Sequence, residues 1–216
     1  LALGDHDDGE RGRQLPHLAK GLHPALSRHL LVEEQDVEGA APDEFHGVVG
    51  VLKDGEPAFT RGYGLADPKT GAPNGPDTRF KIGSLTQTFT AVAVLQLRDR
   101  GLVDLDAPVR KYLPDYPPIG QKITLRHLLS HTSGIPSYTD TQVFALGHDG
   151  PVAPADVRAL FQGLPLEFAP GTDFDLSNSG YFLLGQVVEA VSGKPLADVL
   201  ATDVLAPADM KRSGLG

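Results

Sequence analysis

The sequence predicts an α/β protein of the α+β kind, a mainly helical body with an antiparallel hairpin in front of it. Three observations lead there. A valine-rich run, an Asp-Gly pair and a second apolar run follow one another between Gly47 and Tyr63. Apolar residues then recur at helical spacing along Leu85 to Arg100 and along Tyr181 to Val191. No repeat and no low-complexity linker divides the chain.

The elements follow in chain order. The start, Leu1 to about Arg13, carries Asp5, Asp7, Asp8 and Glu10 among glycines, so a flexible tail is expected over 1–14 and one partial folded domain over 15–216. His6 lies among those carboxylates, but a mobile tail offers a metal no fixed geometry. Leu18, Leu22, Leu26 and Leu30 share a helix face between Leu15 and Val32, with a kink expected at Pro24; His17, His23 and His29 on it read as surface or packing residues. Gly47–Leu52 and Ala58–Tyr63 are expected strands, because Asp54-Gly55 between them supplies the positive φ of a type I′ turn. Leu65 to Thr78, crowded with Gly, Pro, Asn and Asp, reads as a loop.

Leu85 to Arg100 follows as a largely buried helix, with Leu85, Phe89, Val92 and Leu95 inward and Gly101 ending it, which puts Ser84 at its N-terminus. Asp106 is the expected cap of a short helix with Pro108 early inside. Thr124 caps Leu125–Ser130, and Pro154 opens another helix to about Gln162. Leu183, Leu184, Val187, Val188 and Val191 form one face up to Gly193, and Pro195 starts the next element.

Composition narrows the function. The 216 residues, 40% hydrophobic and 22% charged, are ordinary for a globular domain. Twenty-eight acidic against nineteen basic residues give a net charge of -9, which disfavours nucleic acid and anionic lipid as partners. No apolar stretch is long enough to span a membrane, and no leader-like segment opens the chain. The absence of cysteine removes disulfides, thiolate metal sites and cysteine nucleophiles, and leaves the compartment open. A chain that opens on Leu1 and stops at Gly216 is expected to be a processed or incomplete piece.

Four segments carry the chemistry: Arg61-Gly62-Tyr63-Gly64-Leu65-Ala66-Asp67; Phe80 to Ala91; Leu128-Leu129-Ser130-His131-Thr132-Ser133-Gly134-Ile135-Pro136; and Pro170-Gly171-Thr172 to Gly185. In order and approximate spacing they resemble the serine β-lactamase and penicillin-binding-protein family, which includes class C β-lactamases, D-alanyl-D-alanine carboxypeptidases and related esterases. The resemblance runs from roughly Phe45 to Gly216 and covers the family's N-terminal portion. It implies a β-lactamase/transpeptidase-like fold, no cofactor and no metal. It is also compatible with an extracytoplasmic or secreted setting.

The resemblance further implies a serine nucleophile at Ser84, a lysine three residues on, and a Tyr-x-Asn element facing them. A serine hydroxyl is a weak nucleophile until a neighbour takes its proton, and a side chain three residues later lies one turn along the same helix face. Backbone N–H groups at such a helix start also suit a developing oxyanion. In this chain Gln87 stands at the lysine position, and an amide cannot hold a proton at neutral pH. Leu176 stands at the tyrosine position and has no proton to exchange, while Asn178 keeps the asparagine. Tyr181 lies about one turn further on and is a poor substitute. The family's later Lys-Thr-Gly or His-x-Gly strand is missing, because Lys69-Thr70-Gly71 precedes Ser84 and reads as a turn.

The histidines suggest two other chemistries. His131 with Asp140 or Asp149 invites a Ser-His reading, but the matching family segment is a structural turn. His127 and His131 look like a zinc pair, yet no third ligand accompanies them. Alone, Ser84 would read as an N-cap.

Two functions remain open. One is a catalytically impaired hydrolase-derived binding or scaffold protein, holding a small acyl or peptide-like ligand through Ser84, Asn178 and backbone donors. The other is a serine hydrolase acylated at Ser84. The family's sheet takes two strands from the front of the chain and three from the back, so the front hairpin should leave an edge open to absent downstream strands, a partner strand or self-association.

Overall fold

The structure is a computed structural model that describes residues 46–141 and 152–215. The acidic stretch 1–14, the leucine-periodic segment 15–32, Phe45 and Asp149 lie outside the described residues. The chain divides into two compact units, one ending at Thr78 and one beginning at Arg79.

In the first unit, β1 (Gly47–Lys53) pairs antiparallel with β2 (Glu56–Tyr63), with a register shift between Val51 and Leu52. The turn between them has φ of 54° at Asp54 and 85° at Gly55, the left-handed pair that an Asp-Gly hairpin requires. Among the described residues these two strands pair only with each other. The expected loop after them is instead a second small ladder, β3 (Leu65–Asp67) with β4 (Ala72–Pro73). Its turn is built by Asp67, whose carboxylate accepts from the Lys69 N–H at 2.8 Å and the Thr70 hydroxyl at 3.0 Å. Gly71 closes that turn at φ 73°, so Lys69-Thr70-Gly71 is turn chemistry, as the sequence indicates.

The second unit is helical. Gly83, at φ 52°, cannot continue an α-helix, so the chain enters through a 3-10 turn (Gly83–Leu85) before α1 (Thr86–Asp99). Ser84 therefore sits inside that turn, and the residue capping α1 is Leu85, with no side-chain cap bond. Asp106 caps nothing: a 3-10 turn begins only at Val109, and the carboxylate of Asp106 is held by the Arg126 guanidinium at 2.7 and 2.8 Å. Thr124 caps α2 (Leu125–Leu129) as expected, through a reciprocal pair in which His127 N–H donates to Thr124 Oγ1 and Thr124 N–H donates to His127 Nδ1. The helix opened by Pro154, α3 (Pro154–Ala159), stops short of Gln162.

Ser177 caps α4 (Asn178–Ser192), and Gly193 ends it in the left-handed region at φ 69°. Pro195 precedes α5 (Leu196–Val199), which runs on as a π-helical turn through Leu205. The apolar face predicted for α4 enters the core, but the one predicted for α1 does not: Leu85, in the turn before the helix, is 66% exposed, Val92 is 37% exposed, and Phe89 and Leu95 are partly buried. The helix instead turns Thr90, Ala93, Val94 and Leu97 inward, where Val94 and Leu97 pack with Leu183, Leu184, Val187 and Val188 and with α2's Leu125 and Leu128. Burying each such side chain contributes about 1.5–3 kcal/mol of transfer free energy. Phe161 completes this core, edge-on to Phe182 at 6.1 Å. Among the described residues no helix is long and apolar enough to cross a membrane.

Candidate active site

The start of α4 and the turn before α1 come together at one cleft. Ser84, Gln87 and Leu176 line it with Ile82, Leu85 and Tyr181, around a volume of about 620 Å³. Gln87 reaches across to α4, where its Nε2 donates to Asn178 Oδ1 at 3.0 Å. The four residues singled out in the sequence, Ser84, Gln87, Leu176 and Asn178, are thus brought to one place. Ser84 is exposed, and Leu176 and Leu85 present apolar walls that are 49% and 66% exposed.

A second layer holds Asn178. Its backbone N–H donates to Ser137 Oγ at 3.1 Å, and its Nδ2 donates to Ser137 Oγ at 3.3 Å and to Thr139 Oγ1 at 3.0 Å. Ser179 fastens the same loop from beneath: it is fully buried, donates to Pro136 O at 2.7 Å and accepts from the Tyr138 N–H at 2.9 Å. Sequence reading missed Ser137, Thr139 and Ser179. The only local signal was alternation of hydroxyl side chains after Ile135-Pro136, which is too common to single out a site.

His131 is not placed for catalysis. It takes φ 56°, its Nδ1 accepts from the Ser177 N–H at 3.1 Å, and its carbonyl accepts from the Asp175 N–H at 3.0 Å. Its ring packs 5.0 Å from Tyr181. Burial lowers its affinity for a proton below the ordinary value, with Asp175 pulling weakly the other way. A neutral His131 is what an Nδ1 acceptor requires, so this residue orders the turn that feeds α4. His127 spends its own Nδ1 on the Thr124 cap. No cluster of three metal-ligating side chains occurs among the described residues. Asp140 accepts from Thr139 Oγ1 at 3.3 Å.

Among the side chains named as lining the cleft, Tyr181 alone carries a group that titrates in water's range. Its hydroxyl donates to Leu129 O at 3.0 Å, and burial raises its pKa above 10.0. A phenol held protonated and turned to a backbone carbonyl is badly placed to take a proton from Ser84.

The Beta-lactamase family model matches residues 29–216. Esterase EstB of Burkholderia gladioli is 37% identical over 179 residues, covering 76% of this chain and 45% of its own length. A penicillin binding protein from Bacillus halodurans superposes with TM-score 0.68 at 36% identity, over 78% of this chain and 52% of that one. D-amino acid amidase from Ochrobactrum anthropi SV3, complexed with L-phenylalanine amide, gives TM-score 0.65 at 29% identity, over 76% of this chain and 45% of its own. The chain spans 38% to 45% of the length of three curated relatives it matches.

Proposed function

The chain belongs to the Beta-lactamase family, and on that premise we propose that its Ser84 cleft binds a small acyl or peptide-like ligand without hydrolysing it. One observation carries this reading: the residue one turn after Ser84 is an amide, committed through Nε2 to Asn178 Oδ1 at 3.0 Å. A carboxamide neither accepts the hydroxyl proton nor offers a cation to an alkoxide. Leu176 fills the facing position with an alkyl wall, and Tyr181 is held by Leu129 O. Positioned acid–base groups contribute roughly 10²- to 10⁴-fold to such reactions, and groups that act as a unit fail as a unit. Shape and hydrogen-bonding capacity remain, and both suit recognition.

A fluorophosphonate probe tests this on the full chain. Negligible covalent attachment is expected for the parent, while the double variant Gln87→Lys, Leu176→Tyr gains attachment by about 10²-fold or more, lost again when Ser84→Ala is added. Rapid labelling of the parent that Ser84→Ala abolishes establishes a working serine hydrolase in place of this reading.

A further inference from the structure

Resting on the non-hydrolytic reading of this cleft, a further question is which polar edge the cleft offers a ligand. The answer is set at a distance, by Asp140. A carboxylate only accepts hydrogen bonds, so the Thr139 hydroxyl, 3.3 Å from Asp140 Oδ1, gives its proton there. The Ser137 hydroxyl, 2.9 Å from that of Thr139, then donates to it. Both hydroxyls therefore meet Asn178 as acceptors, which turns the Asn178 NH2 edge toward them and its oxygen toward Gln87. The same constraint passes one link further. Gln87 must present Nε2 to Asn178 Oδ1, and its own oxygen is left over.

That oxygen has no hydrogen-bond partner among the described residues, and Gln87 is half-buried on the cleft wall. Ile82, Leu85 and Leu176 around it are apolar and 46%, 66% and 49% exposed. We infer that Gln87 Oε1 is the ligand-reading acceptor of this cleft, so that it selects a primary carboxamide carried beside an apolar group. Ser137, Thr139 and Asp140 are positioning residues that fix this polarity. The Asn178 amide, with both ends engaged, contributes orientation and has no free donor for the ligand.

A matched pair of probes tests the assignment. Phenylacetamide and methyl phenylacetate share the apolar group, but only the first has N–H donors. Binding to the full chain is followed by NMR titration of the backbone amides of Thr88 and Ala91, which line the same cleft and remain present in Gln87→Met. The amide is expected to bind about threefold to tenfold more tightly than the ester, the range one hydrogen bond confers at a half-buried site. In Gln87→Met the two affinities become equal. Thr139→Val, which cuts the relay from Asp140 while leaving Gln87 in place, erodes the preference and restores part of the ester's relative affinity. Equal affinities in the parent, no saturable shift with either probe, or a preference that survives Gln87→Met overturns the inference. Methanol released from the ester in a Ser84-dependent manner overturns the non-hydrolytic reading instead, so the two failures are told apart by separate signals.

Discussion

Ser179→Ala removes one hydroxyl and should cost more than any other single-atom change at this site. The Ser179 side chain is fully buried, and it satisfies two backbone groups at once, the Tyr138 N–H at 2.9 Å and the Pro136 carbonyl at 2.7 Å. Alanine takes the Ser179 hydroxyl away from both groups in a fully buried position. An orphaned buried backbone group costs about 1–3 kcal/mol; two sharing one donor-acceptor pivot should together cost about 2–4 kcal/mol. With a urea dependence near 2 kcal/mol per molar for a domain of this size, the unfolding midpoint should fall by about 1–2 M. Circular dichroism across a urea series measures it directly. A midpoint displaced by less than about 0.3 M means that the loop does not hang on Ser179, and the reasoning about how Asn178 is held loses its foundation.

Two further outcomes follow from the same region. Gly134→Ala places a Cβ 2.2 Å from Phe168 O at a backbone φ of 72°, so overpacking and left-handed strain combine to destabilise by about 2–5 kcal/mol, readable as a lower Tm. His131 has a folded-state proton affinity depressed by burial, so the unfolded chain binds more protons below the ordinary value of 6.5. Its contribution to stability is full above that pH and is lost as pH falls through the depressed value. His131→Asn, which tolerates the left-handed backbone, should flatten the acid limb of stability between pH 7 and pH 5, and an unchanged slope in chemical denaturation rules His131 out as its source.

What the sequence makes legible here is local chemistry. Asp54-Gly55 dictates its turn with no help from the rest of the chain, and Thr124 with His127 caps α2 within a single turn. The face of α4 is readable because its leucines and valines keep helical period over Leu183 to Val188. Asp106 misleads because a carboxylate two residues before proline looks like a cap, whereas its partner, Arg126, lies 20 residues away. The β3–β4 ladder is hidden for a different reason: strands of three and two residues arise from the Asp67 turn and leave no periodicity to detect. At the site, motif order alone locates Ser84, Gln87, Leu176 and Asn178. The hydroxyls that orient Asn178 come from 41 and 39 residues earlier, and nothing in their own neighbourhood announces that pairing.

The way the 131–139 segment is fastened to the first turn of α4 has a consequence for how such a protein can change. Its anchors are His131, Ser137 and Ser179, bonded largely to main-chain groups. Ser84 and Leu176 supply none of these bonds, and Gln87 touches the assembly through a single hydrogen bond to Asn178. Chemistry and architecture are therefore separable inheritances in this chain: the reactive positions can drift, or be rewritten by an engineer, while the framework that displays them goes on folding as before.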